Sequence, residues 1–136
     1  LTTKLFMAVI VAAEAPHRKL HAPGAGVEYP LVKLFRLDDL DAERAAHQGA
    51  YLRFLRERHM SAGLYALSPG DTDTQRPHEQ DEVYVVVSGR ACLTVGDETA
   101  VVARGCVVHV PAGVPHRFHH ITEELRVLVV FSPPED

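Results

Sequence analysis

Tryptophan is absent, aromatic residues make up only 7% of the chain, and cysteine and methionine occur twice each in 136 residues. Two cysteines, Cys92 and Cys106, are too few for a disulfide framework. One bridge between them stays open, but two free thiols in a reducing, cytoplasmic setting is the simpler reading. There is no surplus of positive charge. Eighteen acidic residues face fourteen Lys and Arg for a net charge of −4, so no basic footprint for nucleic acid or an anionic membrane is present. No apolar run approaches the roughly 20 residues of a membrane helix. The nine residues Leu5–Ala13 come nearest. They follow Lys4 and precede Ala13-Glu14-Ala15, which mimics a small-residue cleavage site, so a signal-peptide core stays open. A buried strand is preferred. There is also no internal repeat, no low-complexity segment and no helix-turn-helix pattern.

What remains is a soluble composition, 46% hydrophobic and 24% charged, in a length that suits one domain. Ala15 to Pro30 reads as an irregular connection, and Val32–Leu37 as a candidate strand. Asp38, Asp39 and Asp41 are candidate helix N-caps. Leu37, Leu40, Ala45, Leu52 and Leu55 recur at helical intervals through Arg58, which predicts one helix or two short ones, interrupted near Gly49. From Met60 onward the pattern is strand and turn. Apolar β-prone runs occur at Gly63–Leu67, Val83–Val87, Cys92–Val95, Ala100–Ala103, Cys106–Val110, Arg117–Ile121 and Leu125–Phe131. Turn chemistry such as Ser68-Pro69-Gly70-Asp71, Ser88-Gly89-Arg90 and Pro111-Ala112-Gly113 separates them. Short strands at this spacing predict an all-β sandwich or barrel over residues 60–136, preceded by a strand and helical extension over residues 1–59.

Two segments carry the chemistry. The first is Arg76-Pro77-His78-Glu79-Gln80-Asp81-Glu82, leading through Val83–Val87 to Ser88-Gly89. The second is Gly105-Cys106-Val107-Val108-His109-Val110-Pro111-Ala112-Gly113-Val114-Pro115-His116. Together they resemble the two signature motifs of the cupin family, H-x-H-x3–4-E-x6-G and G-x5-P-x-G-x2-H-x3-N. The resemblance runs from about Leu64 to Phe131. It implies a jelly-roll or conical β-barrel, pairing as a homodimer and a metal site. Leu5–Ala12 would then add a strand to a partner's sheet and cover an edge. His78, Glu82 and His116 fall on three of the four metal positions. Arg76 stands where the family has its first histidine, and His120 where it has its final asparagine.

The residues can be read as chemistry beside that resemblance. His78 and Glu82 are an even number apart, so on a strand they share a face, yet on a straight strand they would lie roughly 13 Å from each other. Glu79-Gln80-Asp81 must therefore bend if both hold one ion, and Pro77 suits a bulge or edge. Two imidazoles and a carboxylate leave coordination positions open, which suits a divalent ion at work, Fe(II) first and Mn, Ni, Co or Zn as alternatives. A structural zinc would be closed by four ligands, usually with Cys.

Arg76 has no lone pair to give a metal. It either clamps an anionic substrate, pairs with Glu79, Asp81 or Glu82, or weakens the site to a vestige, and a bulge at Pro77 would swing Gln75 inward as a weak ligand. Tyr84 and Val86 share the face of Glu82, and Phe118 and His120 that of His116, which makes Tyr84 and His120 candidate pocket residues with Arg76. His119 should face away. His109 reads as a satisfied core or pocket histidine, and His17, His21, His47 and His59 as surface or helix-flank residues. The expectation is a metal-dependent enzyme acting on a small, anionic organic molecule by dioxygenase, isomerase or lyase chemistry. The alternatives are a non-catalytic ligand-binding or sensing protein and a scaffold with a decayed site.

Overall fold

Residues 31–136 are described by the computed structural model; the expected strand at Leu5–Ala12 lies outside them. One helix, α1 (Leu37–Ala46), precedes six strands: β1 (Tyr51–Arg56), β2 (Ser61–Leu67), β3 (Asp81–Val95), β4 (Glu98–Ala103), β5 (Val107–Val110) and β6 (His116–Ser132). No described helix is long and apolar enough to cross a membrane.

The N-terminal part differs from expectation in three respects. Val32–Arg36 forms no strand. The cap position of α1 is taken by Arg36, with no side-chain cap bond, and Asp38 and Asp39 lie inside the first turn. There their charge favours the positive end of the helix dipole without serving as a cap. Lastly, the helix does not reach Arg58. Gln48 takes a left-handed φ of 56°, which stops it, and Tyr51–Arg56 pairs antiparallel with β2 instead. The three-residue spacing of Leu52 and Leu55 mimicked a helix. As a strand the same residues gain ladder hydrogen bonds to β2 along one edge. The boundary drawn at residue 59 therefore falls inside the β1–β2 hairpin.

The strands form one sheet in the order β1-β2-β6-β3-β4, with β5 also paired to β3. β6 runs along one edge of β3 from end to end. The other edge of β3 takes β5 opposite Glu82–Val85 and β4 opposite Arg90–Val95. A straight β3 would hold Glu82 and Val95 roughly 43 Å apart at ~3.3 Å per residue. His116 pairs with Val95, yet its Nε2 lies 3.2 Å from Glu82 Oε2, so the β3–β6 ribbon is folded back on itself. The contact of Tyr84 with Phe118, ring centroids 4.9 Å apart, spans the same fold.

The bend is built by register shifts. Between the pairs Val86↔Val127 and Ser88↔Arg126, β3 advances two residues and β6 one; between Arg90↔Glu123 and Cys92↔His119, β3 advances two and β6 four. Gly89 sits in a further irregularity between these two, from Ser88↔Arg126 to Arg90↔Glu123, at φ 93°, and a Cβ there would lie 2.1 Å from Glu124 O. Ser88-Gly89-Arg90 is thus a bulge within one long strand, where a turn between two strands was expected. The same holds for Arg117–Ile121 and Leu125–Phe131, which are two stretches of β6. Bulges re-aim side chains and increase local twist, which lets one pleated ribbon enclose a core. Tyr84, Val86, Ala91, Leu93, Phe118, Leu125, Val127 and Val129 form that single cluster on the inner face.

Candidate metal centre

The three residues at the family's metal positions converge. His78 Nε2 is 3.8 Å and His116 Nε2 is 3.2 Å from Glu82 Oε2, and one ligand atom from each lies within 4.8 Å of the others. Ions bound at 2.0–2.2 Å by nitrogen and oxygen ligands hold neighbouring donor atoms ~3.0–3.4 Å apart, so small side-chain adjustments suffice. Glu82 projects inward from the start of β3. His78 precedes that strand, and a bend at Glu79-Gln80 closes the gap that a straight strand would leave. His116 begins β6, at the opposite end of the folded ribbon.

Two backbone-anchored bonds hold the motif segments together. Gly113 N donates to His78 O at 2.7 Å, and Ala112 N to Asp81 Oδ1 at 3.0 Å. His116 Nδ1 donates to Val114 O at 2.9 Å, which fixes the tautomer and leaves the lone pair on Nε2. The His78 ring rests edge-on against Phe131, 4.8 Å between centroids.

The electrostatics favour a cation here. Glu82 is 1% exposed, and Glu82 Oε1, Glu82 Oε2 and His116 Nε2 are buried without a hydrogen-bond partner. At 3.2 Å the pair interacts, but not with hydrogen-bond geometry. A buried charge left without compensation is among the most destabilising features a fold can carry. Burial pushes the His116 imidazole down, but the Glu82 carboxylate and the Val114 carbonyl outweigh it and the net shift is upward. The group between Glu82 and His116 is thus drawn toward positive charge, which a metal ion would supply in place of a proton.

Beside the trio lies a cavity of about 280 Å³, walled by Tyr51, Tyr65, Gln75, Tyr84, Phe131 and Glu135 with His78 and Glu82 at its base. Its phenols are all tied. Tyr84 donates to Gln75 Oε1 at 3.0 Å, Tyr65 to Asp73 Oδ1 at 2.8 Å and Tyr51 to Glu135 Oε1 at 2.6 Å. All three pKa values are raised, chiefly by burial, with Glu135, Asp73 and Glu82 adding negative charge beside Tyr51, Tyr65 and Tyr84 respectively. Gly63 makes room for this wall, since a Cβ there would meet the Tyr51 ring at 2.2 Å. The profile of the family described as "Cupin domain" matches residues 63–131, through both motif segments.

The chain belongs to the cupin family.

This cupin is 74% identical over 104 residues to an uncharacterized protein of Streptomyces coelicolor, covering 76% of this chain and 99% of that one. Among solved structures it is similar to the TT1209 protein of Thermus thermophilus, at 33% identity and a TM-score of 0.57, over 62% of this chain and 83% of that one. It also resembles an RmlC-like cupin with a double-stranded β-helix fold from Methanocaldococcus jannaschii. There the identity is 20%, the TM-score 0.57, and the coverage 61% and 78%, a likeness of fold alone.

Other sequence expectations for this cupin are corrected by their placement. Arg76 is exposed and is not part of the cavity wall. Among the described residues it forms no ion pair, so the bridge to Glu79, Asp81 or Glu82 is not realised. Gln75 turns inward in its place, but its Oε1 accepts from Tyr84 and its Nε2 donates to Asp73. His120 does not share the inner face of His116 and Phe118. Its left-handed φ of 49° breaks the alternation, and its side chain is exposed. His109 is likewise exposed, 3.5 Å from Asp81, because the outer face of β5 is open to solvent. Tyr84, by contrast, is buried on the face of Glu82 as its parity requires.

Sequence reasoning missed Tyr51, Tyr65, Asp73 and Glu135. Asp73 is a buried hub that accepts from Tyr65, from Gln75 twice, and from Phe118 N at 2.8 Å. It therefore ties the first motif to the strand bearing His116. A helical reading of Tyr51–Arg56 hid Tyr51, and nothing local to Asp73 or Glu135 signals their long-range partners.

Proposed function

We propose that this cupin binds one divalent metal ion through His78, Glu82 and His116 and acts on a small organic molecule entering the adjoining cavity. The observation that carries this reading is the convergence of His78, Glu82 and His116, with three buried, partnerless donor atoms on Glu82 and His116, beside an open pocket. Fe(II) is favoured, with Mn, Ni, Co and Zn compatible with the same donors. Such an ion supplies Lewis-acid polarisation, and for iron also redox chemistry, at coordination positions the protein leaves open.

The chain's own groups set how a substrate is met. Among the described residues no Lys or Arg stands in the cavity wall, so a carboxylate, enolate or phenolate would take its positive counterpart from the ion itself. Tyr84, Tyr65 and Tyr51 stay neutral, and with their O–H groups given to Gln75, Asp73 and Glu135 they present acceptor lone pairs to an occupant. Glu135, at 2.6 Å from the Tyr51 hydroxyl, is the wall carboxylate positioned to accept a proton. Val129 and Phe131 supply the apolar side and limit the occupant to a compact molecule. The reaction belongs to the oxygenase, isomerase or lyase type. Homodimerisation, implied by the family resemblance, is part of the same proposal and is tested by sedimentation.

Elemental analysis of protein purified without chelator tests the reading, alongside His78→Ala and His116→Ala. Both variants should lose the bound ion, and full retention in both would refute the site. Turnover or oxygen uptake with a panel of small acids, thiols and phenols then separates an enzyme from a ligand-binding protein.

A further inference from the structure

A second cluster of ligating side chains lies on the other face of the same ribbon. Cys92 and His119 are direct cross-strand partners on β3 and β6, and His120 follows. One ligand atom from each of Cys92, His119 and His120 lies within 4.8 Å of the others. None of them touches the cavity or the His78–Glu82–His116 trio. Ala91 and Leu93 point into the core, so Cys92 between them points outward, as does His119 opposite it.

The backbone gathers these groups by an unusual route. On an unbroken strand His119 and His120 would point to opposite faces. The left-handed residue His120 lies within the β6 bulge and turns its ring back beside that of His119, with Nδ1 atoms 2.6 Å apart and ring centroids 4.8 Å apart. A non-glycine residue in this region carries a backbone cost that folds retain mainly at working sites. His119 is also oriented from behind. Its Nε2 lies 2.7 Å from Thr94 Oγ1, which in turn lies 2.8 Å from Thr99 Oγ1. With Nε2–H donated to Thr94, the lone pair of His119 is on Nδ1, aimed at His120. That is the arrangement by which a hydrogen-bonded partner fixes a ligating imidazole.

We infer that Cys92, His119 and His120 form a second metal site, selective for a thiophilic d10 ion such as Zn2+, on the outer face of the β3–β6 ribbon. A thiolate and two imidazoles leave one tetrahedral position to water, and soft sulfur discriminates against the hard ions that the carboxylate-bearing trio accepts. Ligand atoms around zinc stand ~3.3 Å apart, so the two Nδ1 atoms must separate slightly from 2.6 Å. The exposed His120 ring is free to make that swing. Cys92 and His119 are half-buried and His120 is exposed, so the ion exchanges with solution, as in a zinc-responsive site and unlike a closed structural clip.

The test uses the reduced, metal-free full-length protein titrated anaerobically with Co2+, followed by Zn2+. The trio contains no sulfur, so a near-ultraviolet thiolate-to-cobalt charge-transfer band reports this second site alone. The band should appear in the wild type, survive Cys106→Ser, vanish in Cys92→Ser, and be displaced by Zn2+. Bound Zn2+ should fall by one equivalent per chain in Cys92→Ser. Thr94→Val, which removes the hydroxyl orienting His119 and no ligand atom, should weaken Zn2+ binding ~10–100-fold while leaving the band's position unchanged. His78→Ala should leave the band intact. Absence of the band in the wild type, its survival in Cys92→Ser, or its indifference to His119→Ala would overturn the inference.

Discussion

Glu82→Gln should make the metal-free protein more stable and the metal-loaded protein less so. In the absence of an ion, the Glu82 carboxylate is 1% exposed, with neither oxygen hydrogen-bonded. His116 Nε2 lies 3.2 Å and His78 Nε2 3.8 Å from its Oε2. Glutamine keeps the shape, removes the charge and offers an N–H to the His116 lone pair. Relieving a poorly compensated buried ion is neutral or stabilising by about 1–4 kcal/mol. For a domain of this size one kcal/mol corresponds to ~4 °C, so the metal-free variant should melt ~4–16 °C above the metal-free wild type. Addition of ion at 100 times its Kd stabilises the wild type by about 2.7 kcal/mol, or ~10 °C, and should do nothing for the variant. Mn2+ is the suitable probe, because a hard ion avoids the Cys92 cluster. Calorimetric melting of both proteins with and without Mn2+ gives the four numbers needed. A metal-free variant less stable than wild type, or one that keeps the full Mn2+-dependent rise, would refute the argument that Glu82 is held in an unfavourable state for the sake of an ion.

Gly89→Ala places a Cβ 2.1 Å from Glu124 O at a φ of 93°, and should lower stability by about 3 kcal/mol or more, read from the urea midpoint. Asp73→Asn puts an amide before four donors from Tyr65, Gln75 and Phe118, and should cost about 2–4 kcal/mol in denaturant unfolding. Mn2+ affinity should drop with it, since Phe118 is two residues from His116; unchanged stability would count against the hub. The phenols of Tyr51, Tyr65 and Tyr84 have folded pKa values raised above the ordinary 10.0, so the stability they contribute is full below pH 10 and is lost as pH rises beyond it. Phenolate absorbance from these three should therefore appear together with loss of far-ultraviolet dichroism. Phenolate from more than one of the four tyrosines before any unfolding would contradict this.

The β-rich half of the chain was legible because apolar runs and turn residues are local signals. So was the inward face carrying Glu82, Tyr84 and Val86, because strand parity needs only counting. The His78–Glu82–His116 trio was legible through the resemblance of its two segments, with their Gly and Pro frames, to the cupin motifs. Errors fell where a single backbone torsion redirects everything after it. Gln48 ended a helix whose periodicity continued into Leu52 and Leu55, and Gly89 made a bulge out of an apparent turn. His120, given to the pocket by parity, was turned outward by its own positive φ.

Ligand identity and order along the chain are properties of the sequence, as is the alternation that turns Glu82 and His116 inward, because each depends on residue type and interval alone. The meeting of the two ends of β3 was decided by the tertiary structure. Bulges distributed over Val86–Cys92 and their partners on β6 fold a ribbon that would otherwise hold those ends roughly 43 Å apart. The same bulges place Cys92, His119 and His120 together on the outside. Register shifts of one or two residues have no local sequence signature beyond a glycine, and they emerge only when the whole inner face packs at once.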